Sequence, residues 1–246
     1  MLTSTVLTYS AFLALVPATI LPFRRPPARD ALFWGLLAVA IAGPVVWIWT
    51  MFAPGWRTGL APALWITIAA SLTVFALLSA AMRDVWRLAP LLLPYMLVIA
   101  LLAALWIHQP ERPLVEQAPG VWVRFHILIS VVTYGLLTIG AIAGFAVILQ
   151  ERALKRKRPG GFVRLLPSVA DGERIQVSLL AGGAVVLGCG LVSGMAAEYY
   201  LSGQLNARTG IRGRRAARYV LAAYLLITLA YPGVKFVTDV VLASPA

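Results

Sequence analysis

Seven apolar stretches, each long enough to cross a lipid bilayer, constrain this chain more than any motif does: about 2 to 22, 31 to 50, 62 to 82, 88 to 107, 124 to 150, 175 to 198 and 217 to 242. A crossing takes roughly twenty apolar residues at about 1.5 Å rise each. Only 12% of the residues are charged and 61% are apolar, so the chain cannot cover a water-facing surface with polar groups. In hydrocarbon every backbone N–H and C=O must be satisfied internally, which restricts the chain to helices or a closed barrel. The runs lack the period-two alternation of barrel strands. The expected fold is therefore all-α: one polytopic transmembrane helical bundle of about seven spans, a single domain over 1–246.

Charge sets the expected orientation. Twelve of the 21 basic residues lie in the loops after the first, third and fifth runs: Arg24, Arg25 and Arg29; Arg83 and Arg87; and the group from Arg152 to Arg174. The alternate loops hold only Arg57 and Arg112, with Arg124 at a helix start. The positive-inside rule then puts the N-terminus outside and the 151–174 loop in the cytoplasm. Met1 to Ser10 contains no Lys or Arg, so the first run reads as a permanent span rather than a cleaved signal. Positive charge that flanks spans is explained by the bilayer, and nucleic acid is not an expected partner. The alternation breaks at 199–218, which six spans would leave outside although it carries Arg208, Arg212, Arg214, Arg215 and Arg218.

Few residues are equipped for chemistry. Cys189 is the sole cysteine, so no multi-thiolate metal site forms within one chain. No GxxxxGK[ST], HExxH or GxSxG motif occurs, leaving ATPase, zinc protease and common hydrolase chemistry without support. The two histidines, His108 and His126, fall at the end of the fourth run and near the start of the fifth, both toward the outer face. A histidine nitrogen ligates iron, and two from neighbouring helices could hold a haem axially; both residues also fit as interfacial polar groups. Trp122 lies one turn before His126, suited either to stack on a planar macrocycle or to the aromatic belt at this depth. Ser130, Thr133 and Leu137 continue the His126 face at three- and four-residue steps. Gly190 and Gly194 have the small-xxx-small spacing of close helix packing. Glu198, and Lys235 with Asp239, are the acidic and paired charges on which a transport or ion-efflux function would depend.

The stretch from Glu116 to Lys157, EQAPGVWVRFHILISVVTYGLLTIGAIAGFAVILQERALKRK, resembles the integral-membrane cytochrome c assembly proteins of the CcsA/CcmC-like type, nearest to their small HemX/YpjD-like branch. The likeness rests on His126 opening a long helix, Thr133 and Tyr134 one to two turns later, and the basic cluster Arg152 to Arg158. It continues through Leu165, Leu166, Pro167, Glu173 and Arg174, and resumes at GIRGRRA (Gly210 to Ala216) and LAYPGVKFV (Leu229 to Val237). It implies a haem-handling protein of the bacterial inner membrane that presents haem near the extracytoplasmic face. His126 is then the expected iron ligand, His108 a second candidate and Trp122 a stacking wall. The implied partners are haem, an apocytochrome c or other assembly proteins, and the lipid bilayer, with no catalytic residues. The chain departs from the family in two ways. It lacks the tryptophan-rich, aspartate-containing segment of the larger members. It also has only LSGQLNART between Tyr200 and Gly210, where the family places another span and often a second histidine. A lost span accounts for the break in charge alternation, and a degenerate paralogue is the reading that follows if the loss abolished function.

Overall fold

The computed structural model describes residues 2–25, 28–53, 57–106, 112–113, 121–157 and 160–202. Backbone contacts divide the chain into units Met1–Ala197 and Glu198–Ala246, and the arrangement below is that of the first. Six long helices run through it: α1 (Leu2–Arg24), α2 (Ala31–Phe52), α3 (Leu60–Ala81), α4 (Ala89–Leu105), α5 (Val121–Lys155) and α6 (Val169–Ser202). All six are long and apolar enough to cross a membrane, and the chain is a multi-pass helical membrane protein. The expected seventh run, 217 to 242, lies outside the described residues.

The boundaries follow local chemistry. Asp30 caps α2, its carboxylate accepting the Phe33 N–H at 3.0 Å. Pro90 occupies the first turn of α4, where its missing N–H costs nothing. Pro17, Pro44 and Pro94 lie inside α1, α2 and α4 as expected, and Pro22 joins them in α1. Short 3-10 turns at Val85–Leu88 and Gly161–Leu165 lead into α4 and toward α6. On the opposite face, Arg57–Thr58 and Arg112–Pro113 pair antiparallel, tying the two sparsely charged loops together.

Helices α1 to α4 close a ring in which α1 packs on α2 and α4, and α3 packs on α2 and α4. Its core includes Leu15, Leu37, Trp47, Trp65, Phe75 and Leu92, all essentially inaccessible. Trp47 stacks on Trp65 with ring centroids 5.5 Å apart, and its indole N–H donates to Thr8 Oγ1 at 2.8 Å, linking α2 to α1 and α3. At Gly43 the chains of α1 and α2 approach so closely that a Cβ would sit 2.8 Å from that of Ala14. Outside the ring, α5 packs along α3.

Helix α6 returns antiparallel along α5. Glycine neighbours trace the seam from Gly194 beside His126, through Gly183 beside Leu137, to Gly172 beside Val147. The outward side of α6 carries exposed Val177, Val185, Leu191 and Val192. Such a surface suits contact with lipid or with another protein rather than water. At 35 and 34 residues, α5 and α6 are each about 50 Å long, well beyond a hydrocarbon core of about 30 Å. The spans expected at 124–150 and 175–198 are therefore shorter than the helices, because helical hydrogen bonding continues into charged turns, Glu151 to Lys155 at the end of α5 and Asp171 to Arg174 at the start of α6.

Candidate functional site

His126 lies in the second turn of α5, half-buried against α6. Its Nδ1 is 3.1 Å from the Gly190 carbonyl oxygen and 3.1 Å from Ser193 Oγ. The Ser193 hydroxyl in turn donates to the same Gly190 carbonyl at 2.9 Å. A carbonyl can only accept, so the imidazole contact requires the proton on Nδ1, which donates to Gly190 O and Ser193 Oγ. The contacts made by the ring fall on Nδ1 and not on Nε2. A hydrogen bond from one ring nitrogen to a carbonyl is the kind of contact that orients a histidine toward a metal on the other.

Two features of α6 make this approach possible. Gly194 has no side chain where a Cβ would lie 3.0 Å from His126 Cε1 and 3.3 Å from Nδ1. Ser193 is 95% buried, so its hydroxyl is withdrawn from solvent and committed to the Gly190 and His126 contacts. The small-residue spacing of Gly190 and Gly194 thus serves helix packing, as read from sequence, and also receives the imidazole. Ser193 was not among the residues singled out above; its one signal was a position three after Gly190 on the same face of α6.

The other expected site residues fare differently. Trp122 stands one turn before His126 on α5 and is 46% exposed. His108 lies outside the described residues, so no juxtaposition of the two histidines is described. The stripe continuing from His126 divides: Thr133 is buried, with its hydroxyl on the Ile129 carbonyl, whereas Ser130 is exposed and donates to the His126 carbonyl at 2.8 Å. Leu137 is exposed as well. Three- and four-residue steps straddle the edge of the α5–α6 seam, so one stripe meets both protein and lipid. The Glu198 side chain, Lys235 and Asp239 lie outside what is described. Among the described residues, no cluster of three or more His, Cys, Asp or Glu side chains is placed to hold a metal ion.

The profile of the cytochrome c assembly protein family matches residues 56–198, a stretch that includes α3 to α5 and nearly all of α6, with His126, Ser193 and Gly194. The chain belongs to that family. It is also similar to a protein of Azospirillum brasilense named "Uncharacterized 28.8 kDa protein in nifR3-like 5'region", at 48% identity over 261 residues, covering 95% of this chain and 96% of the relative. Since 95% of 246 residues is about 234, the 261 aligned positions include about 27 that this chain does not fill. No solved structure matches the chain.

Proposed function

We propose that this member of the cytochrome c assembly family binds haem through Nε2 of His126, near the extracytoplasmic face of the bacterial inner membrane, and presents it for attachment to an apocytochrome c. The observation that carries the reading is the anchoring of His126 Nδ1 on α6 through Gly190 and Ser193, contacts that do not involve Nε2. Bound haem would supply an iron able to take up a histidine nitrogen, and His126 is the residue that would hold it. Trp122 offers an aromatic face one turn away, and His108 is the candidate for a second ligand. The absence of a catalytic motif fits a carrier that captures and releases haem without turnover.

Absorption spectra of the detergent-purified protein, oxidised and reduced, beside those of His126→Ala, test the assignment. A Soret band that disappears in the variant supports it. Equal haem content in both proteins, or none in either after expression with ample haem, would move the function to a transport or ion-efflux accessory role, read out through Glu198 and Asp239 variants.

A further inference from the structure

Far along the chain from His126, at the end of the bundle that charge assigns to the cytoplasm, the last turn of α1 and the 3-10 turn before α6 enclose an open cleft of about 470 Å³. Its lining combines Arg24 and Arg25 with Phe23, Phe162 and Leu165. Phe23 and Phe162 stack with ring centroids 5.8 Å apart and form one wall. A narrow crevice shares Pro22, Arg25 and Leu165 with the cleft and runs inward to Arg87 and Trp86. Arg87 Nε is buried there with no hydrogen-bond acceptor among the described residues. Arg25 is paired with Asp30, so Arg24 and Arg87 supply the charge that the carboxylate does not offset.

The apolar surface leading away from this cleft is equally specific in form. Val6, Leu13 and Ile20 recur every seven residues on α1, with Phe23 three further on, and all four are exposed. This stripe ends at the cleft's aromatic wall. A guanidinium cluster recognises phosphate oxygens through charge-assisted, often paired N–H donors. A stripe crossing the hydrocarbon matches an acyl chain, which a free phosphate does not possess. Basic pockets between helices at the cytoplasmic side are suited to anionic headgroups for the same reasons.

We propose that the cleft and the crevice adjoining it together form a binding site for an anionic phospholipid, with the headgroup between Arg24 of the cleft and Arg87 of the crevice and an acyl chain along Phe23, Ile20, Leu13 and Val6. The site is separate from His126 and stands whether or not haem binds there.

The test is thermal unfolding of the full-length protein in detergent during titration with short-chain phosphatidylglycerol, with phosphatidylcholine of the same chain length and inorganic phosphate as the other arms. Phosphatidylglycerol is expected to raise the melting temperature saturably while the other two do not. Arg24→Gln combined with Arg87→Gln is expected to weaken the apparent affinity at least tenfold. Because Arg87 is partly buried, Arg24→Glu and Phe162→Ala serve as separate single variants, each expected to weaken it too. Arg156→Gln, outside the cleft, should keep the wild-type response. Equal shifts with phosphatidylcholine, a matching shift with inorganic phosphate alone, or unchanged affinity in all the cleft variants would overturn the proposal.

Discussion

At the scale of single residues, Ser193 and Gly194 define the His126 ring more than its neighbours on α5 do. Ser193→Ala removes one of two acceptors for Nδ1–H and the donor that aligns the Gly190 carbonyl. Outer partners of a ligating histidine typically tune metal affinity about 10- to 100-fold, so haem titration of Ser193→Ala should show a loss in that range with the helical signal unchanged. Gly194→Ala should act more severely, because its Cβ would meet the ring itself; full haem occupancy in that variant would contradict the geometry. Asp30, at the opposite end of the bundle, gives a pH prediction. The hydrogen bond from Arg25, and then the Phe33 N–H, hold its carboxyl below the ordinary value of 3.8. Its folded-state pKa being lowered, the contribution to stability is present above the usual carboxylate range and is lost as pH falls through the depressed value. Melting temperatures of wild type and Asp30→Asn should therefore differ near neutral pH and draw together only as pH falls below 3.8 and through the depressed value.

Between elements, two contacts bear most on assembly. Gln150, near the end of α5, directs its side-chain amide at three carbonyls: Val163 and Pro167 at 2.9 Å and Leu166 at 3.4 Å. One residue thereby organises the turn that reverses the chain into α6, and Gln150→Leu removes the side-chain donor from all three, leaving the Val163 carbonyl with the Leu166 N–H at 3.2 Å. A loss of about 1–3 kcal/mol is expected from the unsatisfied groups, measurable as faster proteolysis in the 156–165 segment. Gly43 is the corresponding point between α1 and α2. Replacement by Val would drive a side chain into Ala14 and the Ala11 backbone, with an expected cost of about 1–3 kcal/mol by overpacking, seen as a lower melting temperature. Gly35, eight residues earlier on α2, has open space at its Cβ position and should accept Ala with little effect.

For the molecule as a whole, orientation is the property most open to a direct check. A reporter active only in the cytoplasm, inserted at exposed Gly160, should give signal, and the same reporter between Ala53 and Arg57 should not; the reverse pattern would invert the topology and place His126 on the cytoplasmic side. Much of the fold was legible before any coordinates. The positions of α1 to α6 follow from run length and hydropathy, because in lipid a backbone has almost no alternative to the helix. His126 also stands out in the sequence, as one of two histidines in so apolar a chain and one turn after Trp122. What linear order could not convey is where that imidazole points. Ser193 is 67 residues away and meets His126 only because α5 and α6 pair antiparallel in one register. That register depends on which glycines let the helices touch, and Gly182 and Gly188, indistinguishable by type from Gly190 and Gly194, face open space. Sequence alone determined that the chain would be a helical bundle in a membrane, because composition dictates the solvent and the solvent dictates the backbone. Tertiary structure alone decided which face of each helix meets a neighbour, and hence which nitrogen of His126 makes the contacts, because helix contacts depend on side-chain shape at sites distant along the chain.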